Sequence, residues 1–66
     1  MSEKTILRII AVMGRTGLSR SSIYQKMAAD EFPESINLGP RAIGWIADEV
    51  EQWIQERIDE SRPDDD

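Results

Sequence analysis

The stretch Thr16-Gly17-Leu18-Ser19-Arg20-Ser21-Ser22-Ile23-Tyr24-Gln25-Lys26-Met27 constrains this chain more than any other, because it reads as the turn and second helix of a helix-turn-helix. Glycine takes positive φ without a Cβ penalty, so Gly17 can stop one helix and redirect the backbone. Leu18 is an apolar turn residue placed to point back between two helices. Ser19 is a good N-cap: its hydroxyl accepts a backbone N–H one turn on, which stabilises by about 1 kcal/mol. Ile23 and Met27 share one helical face, with Arg20, Ser21, Tyr24 and Gln25 on the other side. Such a helix is held from behind and presents a short basic-polar front. Helix-turn-helix proteins that read the DNA major groove need that arrangement, since the first residues of the second helix must reach base edges. A Gly-Leu-Ser turn between amphipathic helices also serves domains that never touch DNA, so the rest of the chain has to decide.

Composition removes most alternatives. Sixty-six residues make one small domain with a single core, and the absence of cysteine means that disulfides cannot support it. With no histidine either, the usual zinc-finger ligands and histidine-based catalysis are excluded. Asp48 and Glu51 are paired carboxylates, but helix capping explains them and no partners for a catalytic pocket accompany them. The expectation is no enzyme, no cofactor and no metal. Apolar runs fall far short of the roughly 20 residues that cross a membrane, so the expected location is the cytoplasm.

A net charge of −5 argues against nucleic acid, whose binding rests largely on neutralised phosphates, until its distribution is considered. Residues 1–45 carry six basic side chains (Lys4, Arg8, Arg15, Arg20, Lys26, Arg41) against four acidic ones, a net of +2. Residues 46–66 carry two basic and nine acidic side chains, a net of −7. The acidity belongs to the end of the chain, and the part holding the helix-turn-helix pattern is mildly basic.

Taken in order, Met1 to Lys4 are expected to be loose and Thr5-Ile6-Leu7-Arg8 to form a short strand or extended lead-in. Ile9, Val12, Met13 and Thr16 recur at the spacing of one helical stripe, weakened by Gly14, and Gly17 ends that helix. The second helix spans about 20–29 and stops at Asp30-Glu31-Phe32-Pro33, where proline disfavours helical geometry at the preceding residue. Phe32 is expected to be buried. Ile36 and Leu38, then Ile43 and Trp45, alternate with smaller or polar neighbours around Gly39-Pro40, which predicts a two-stranded hairpin with Arg41 at its tip. Asp48 with Glu51 predicts a capping box opening the last helix. Val50, Trp53, Ile54, Arg57 and Ile58 mark its buried stripe, with Trp45 and Trp53 as core residues. The domain is expected over 1–60, followed by a disordered acidic tail over 61–66.

Helix, tight turn, helix, hairpin, helix is the order of a small winged helix-turn-helix: mainly α, with one small β-hairpin as the wing. The run Thr16-Gly17-Leu18-Ser19-Arg20-Ser21-Ser22-Ile23-Tyr24, then Phe32-Pro33, then Leu38-Gly39-Pro40-Arg41-Ala42-Ile43-Gly44-Trp45, then Glu49-Val50-Glu51-Gln52-Trp53-Ile54, resembles the AlpA family of phage-type transcriptional regulators. These small proteins are related to excisionases and to MerR-type DNA-binding domains. The resemblance covers about residues 7–58 and implies a bacterial, prophage-type DNA-binding protein with a winged-helix fold. It implies action either on transcription or as a recombination directionality factor that bends DNA for an integrase. Carried over by position, Arg20, Ser21 and Tyr24 match recognition-helix residues and Arg41 the arginine of the wing. The chain departs from the family at Gln25, where a basic residue is common, and at Gly44 and Ile46, which flank Trp45 without charge.

The expected function is sequence-specific binding of double-stranded DNA, with helix 20–29 in the major groove and the wing, 36–45, on the backbone or minor groove. The candidate contact residues are Arg20, Ser21, Tyr24, Gln25, Lys26 and Arg41. If Arg20, Lys26 and Arg41, with Arg15 or Arg8, neutralise about four phosphates, log affinity falls against log salt with a slope of about −3.6. One small domain reads few base pairs, so cooperative self-association on DNA is also expected. The alternative is a protein-interaction module whose acidic last helix and tail engage a recombinase such as an integrase, or RNA polymerase.

Overall fold

The computed structural model describes residues 4–62, in the order β1 (Ile6–Leu7), α1 (Ile9–Thr16), α2 (Arg20–Ala28), β2 (Ile36–Gly39), β3 (Ala42–Ile46) and α3 (Ala47–Ser61). Three helices and a three-stranded antiparallel sheet of order β1-β3-β2 are compatible with a small winged helix-turn-helix. The short strand expected within residues 5–8 forms at Ile6–Leu7 and joins the expected hairpin as a third strand, a pairing the sequence spacing did not indicate. β1 pairs with β3, Ile6 opposite Ile46 and Leu7 opposite Trp45, so the lead-in closes the free edge of β3. Residues 1–3 and 63–66, which include most of the expected acidic tail, lie outside the described residues.

Strand alternation sorts the sheet into two faces. Leu7 and Trp45 face the helices and are buried, while Ile6 on the opposite face stays 37% exposed. The core joins them to Val12 of α1, Ile23 of α2, Phe32 of the linker, and Ala47 and Val50 of α3. Gly44, buried in β3, has a packing reason to lack a side chain. A Cβ there would lie 2.5 Å from Ile6 Cγ2 and 3.1 Å from the Leu7 carbonyl oxygen. A side chain at 44 would require the Ile6 side chain and the adjoining β1 backbone to shift.

α3 does not begin with the expected capping box. It continues straight from β3, with Ile46 in the N-cap position and no side-chain cap, so Asp48 lies inside the first turn. The cause is tertiary: the Ala47 N–H donates to the Thr5 carbonyl at 2.8 Å, so the strand lead-in takes over part of the cap's role. Asp48 and Glu49 still favour the helix by standing near its positive end.

The buried stripe of α3 also lies nearer its start than the sequence spacing predicts. Ala47 and Val50 are buried and Trp53 and Ile54 are half-buried, whereas Ile58 is 43% exposed. Trp53 therefore belongs to the margin of the core. Its ring meets Phe32 edge-on at 4.9 Å, and its indole N–H donates to the Glu31 carbonyl at 2.8 Å. The guanidinium of Arg57 lies 5.1 Å from the centre of the same ring.

Candidate nucleic-acid interface

The turn between α1 and α2 is built almost entirely from local hydrogen bonds. Gly17 adopts φ 78°, and its N–H donates to the Met13 carbonyl at 2.8 Å, the single bond of a left-handed helix stop. The Thr16 hydroxyl donates to the Val12 carbonyl at 2.8 Å and accepts the Leu18 N–H at 3.2 Å, which ties the turn to the helix it leaves. Ser19 then caps α2, its hydroxyl accepting the Ser22 N–H at 3.1 Å. Leu18 packs against the core from within the turn.

These contacts hold the first turn of α2 in one orientation, and fully buried Ile23 pins its back. Arg20, Ser21, Tyr24 and Gln25 are all exposed and share the outward face. Tyr24 is 40% exposed while its ring approaches Trp45 edge-on at 6.5 Å, so the core braces one side and the other stays open. Lys26 stands apart from this group. It is half-buried and lines a groove beside Asp30, Glu31 and α3, on a different side of the helix from Arg20.

The far end of α2 closes in a left-handed stop at Asp30, φ 64°. The Asp30 N–H donates to Met27 O at 3.0 Å and the Glu31 N–H to Lys26 O at 2.7 Å, the paired bonds of a Schellman motif. Aspartate tolerates this conformation better than most residues, which is why an acidic residue sits where the helix dipole disfavours one.

The hairpin turns through Pro40 and Arg41. Proline fixes φ near −65°, so the left-handed residue must come second, and Arg41 takes φ 61°. A residue other than glycine held there costs about 1–2 kcal/mol, so the arginine is kept at some expense to the fold. Arg41 is exposed at the tip, as the sequence led one to expect.

Ion pairing separates the basic residues further. Arg15 pairs with Glu51 of α3, whereas Arg20 and Arg41 pair with no carboxylate among the described residues. Sequence spacing did not reveal the Arg15 pair, which joins residues 36 positions apart. Among the described residues no group of three or more histidine, cysteine or carboxylate side chains is placed to hold a metal, and no helix is long and apolar enough to cross a membrane.

Comparison with known proteins places this geometry in context. The family model described as prophage CP4-57 regulatory protein (AlpA) matches residues 5–58. An uncharacterized protein, ORF88, of Enterobacteria phage P4 is 38% identical over 58 residues, which cover 88% of this chain and 66% of the phage protein, just under two thirds of its length. The DNA-binding transcriptional activator AlpA of Escherichia coli (strain K12) is 34% identical over 62 residues, covering 85% of this chain and 89% of that protein. No solved structure gives a significant match.

Proposed function

Since the chain belongs to the prophage CP4-57 regulatory protein (AlpA) family, we propose that it is a sequence-specific DNA-binding regulator with a winged helix-turn-helix fold. In this reading the face of α2 formed by Arg20, Ser21, Tyr24 and Gln25 enters the major groove, and the β2–β3 wing sets Arg41 on the backbone or minor groove. One observation carries it: Arg20 pairs with no carboxylate among the described residues and stands on an exposed helix face whose first turn is held by the Ser19 cap. A guanidinium so positioned suits bidentate contact with guanine O6 and N7. The printed name of the E. coli relative, a DNA-binding transcriptional activator, supports the same reading.

The electrostatic part of binding is small. With Arg15 engaged by Glu51 and Lys26 beside carboxylates, the cationic side chains left to offset the charge of the DNA reduce to about three, Arg8, Arg20 and Arg41. The salt slope is then about −2.7 rather than −3.6. Cooperative binding of several copies at adjacent sites compensates for so few contacts per domain.

The test is a set of titrations on cognate and scrambled duplexes. Arg20→Ala should lose about 1–3 kcal/mol on the cognate site and much less on scrambled DNA. Arg41→Ala should weaken both alike and lower the salt slope by about one. If Arg20→Ala kept its discrimination, α2 would not be the reading helix. Footprints at a promoter would indicate transcriptional control, and footprints at an attachment site a recombination directionality factor.

A further inference from the structure

On another side of α2 the 30–34 linker and α3 enclose a groove of about 960 Å³. Asp30, Glu31 and Glu34 line it from the linker, and Asp48, Glu49 and Glu56 from α3. None of these six forms an ion pair with a described residue, although Lys26 and Arg57 line the same groove. Half-buried Trp53 also lines it, with buried Phe32 packed edge to face behind it. The groove thus combines carboxylates that form no ion pair among the described residues with the exposed part of the half-buried Trp53 ring, where the chain's own Arg57 guanidinium lies 5.1 Å from the ring centre.

We infer that this groove docks an arginine-bearing segment of a partner protein, with guanidinium groups bonded to the surrounding carboxylates and laid against the exposed part of the Trp53 ring beside Arg57. Charge complementarity selects this occupant. Phosphates are repelled, so DNA does not fill the groove, and a second copy of a chain with net charge −5 approaches against its own field. Arginine suits the site better than lysine, because a planar guanidinium stacks on aromatic rings and forks to carboxylates, whereas an ammonium is a compact, strongly hydrated charge. The exposed front of α2 stays open when the groove is filled, so a bound partner and bound DNA are compatible.

The experiment uses the full chain, isotope-labelled for NMR, titrated with octa-arginine, octa-lysine and octa-glutamate peptides. The chain has two tryptophans, so the indole N–H signals report separately on Trp45 in the core and Trp53 at the groove. Saturable binding of octa-arginine that moves the Trp53 signal more than the Trp45 signal, and is several-fold tighter than octa-lysine, is the expected result. Asp48→Asn/Glu49→Gln/Glu56→Gln should weaken it about tenfold and leave DNA binding intact. If that variant does not fold, Glu34→Gln/Glu56→Gln, which spares the first turn of α3, replaces it with the same expectation. The inference is overturned if octa-arginine does not bind, if the groove variant binds as tightly as the parent, or if neutralising Asp64, Asp65 and Asp66 alone removes binding. Self-association of the chain that the groove variant abolishes would make a second copy the occupant and overturn it too. Arg20→Ala should leave peptide binding untouched, so failure here is distinguishable from failure of the DNA reading.

Discussion

The two tryptophans have the same side chain and opposite roles. Trp45, on the central strand, is fully buried among the three helices and the sheet, and its indole N–H has no hydrogen-bond partner among the described residues. Trp53, on α3, is half-buried, yet its N–H is satisfied by Glu31 and its ring touches Phe32 and Arg57. Position 45 is filled for volume, at the cost of one unpaired donor. Position 53 acts as a latch that fastens the linker leaving α2 to the last helix. The difference teaches that, in a domain this small, core packing and the shape of the groove between α2 and α3 rest on separate aromatic anchors.

The largest effect should come from Trp45→Ala, which empties the centre of the core and costs about 3–5 kcal/mol. Much of a small domain's stability is of that size, so cooperative melting should be lost near ordinary temperatures. A variant melting close to the parent would refute the assignment of Trp45 as the central packing residue.

Trp53→Ala should cost less, about 1–3 kcal/mol, for partial burial and one hydrogen bond. Its distinguishing sign is local. Hydrogen exchange should accelerate in the 30–34 linker and the adjoining turns of α3 while the strands keep their protection. Uniform loss of protection would mean that Trp53 is as central as Trp45, and the contrast would fail.

The smallest and sharpest effect lies in the conservative pair. Trp53→Phe removes a made hydrogen bond and should cost about 1 kcal/mol. Trp45→Phe leaves a modest cavity but relieves a buried unpaired N–H, and these terms oppose each other, so stability should change by less than about 1 kcal/mol. Denaturant midpoints for the two variants decide the order. If Trp45→Phe were the more damaging, an unmet indole donor would not be what distinguishes the two sites.

Much of the fold was legible in the chain because its signals are local. Gly17 needs only its own φ, and Ser19 needs only a backbone N–H three residues on, so the turn from α1 into α2 could be read without neighbours. The stripe through Val12, the stop before Pro33 and the Pro40-Arg41 tip belong to the same class. The face of α2 carrying Arg20, Ser21, Tyr24 and Gln25 follows from helical period alone.

What only the tertiary structure decided involves partners distant in sequence. The start of α3 depended on Thr5 reaching Ala47, so a side-chain cap read from Asp48 and Glu51 was overridden by a strand pairing that local spacing cannot encode. The close approach of β1 to Gly44 depended on the same strand pairing. Arg15 was withdrawn from the basic set by Glu51, and Lys26 was turned toward the acidic groove. Trp45 and Trp53 were indistinguishable by composition and by stripe. Burial depends on the summed packing of every element around a side chain, and periodicity reports only which side of its own element that residue occupies.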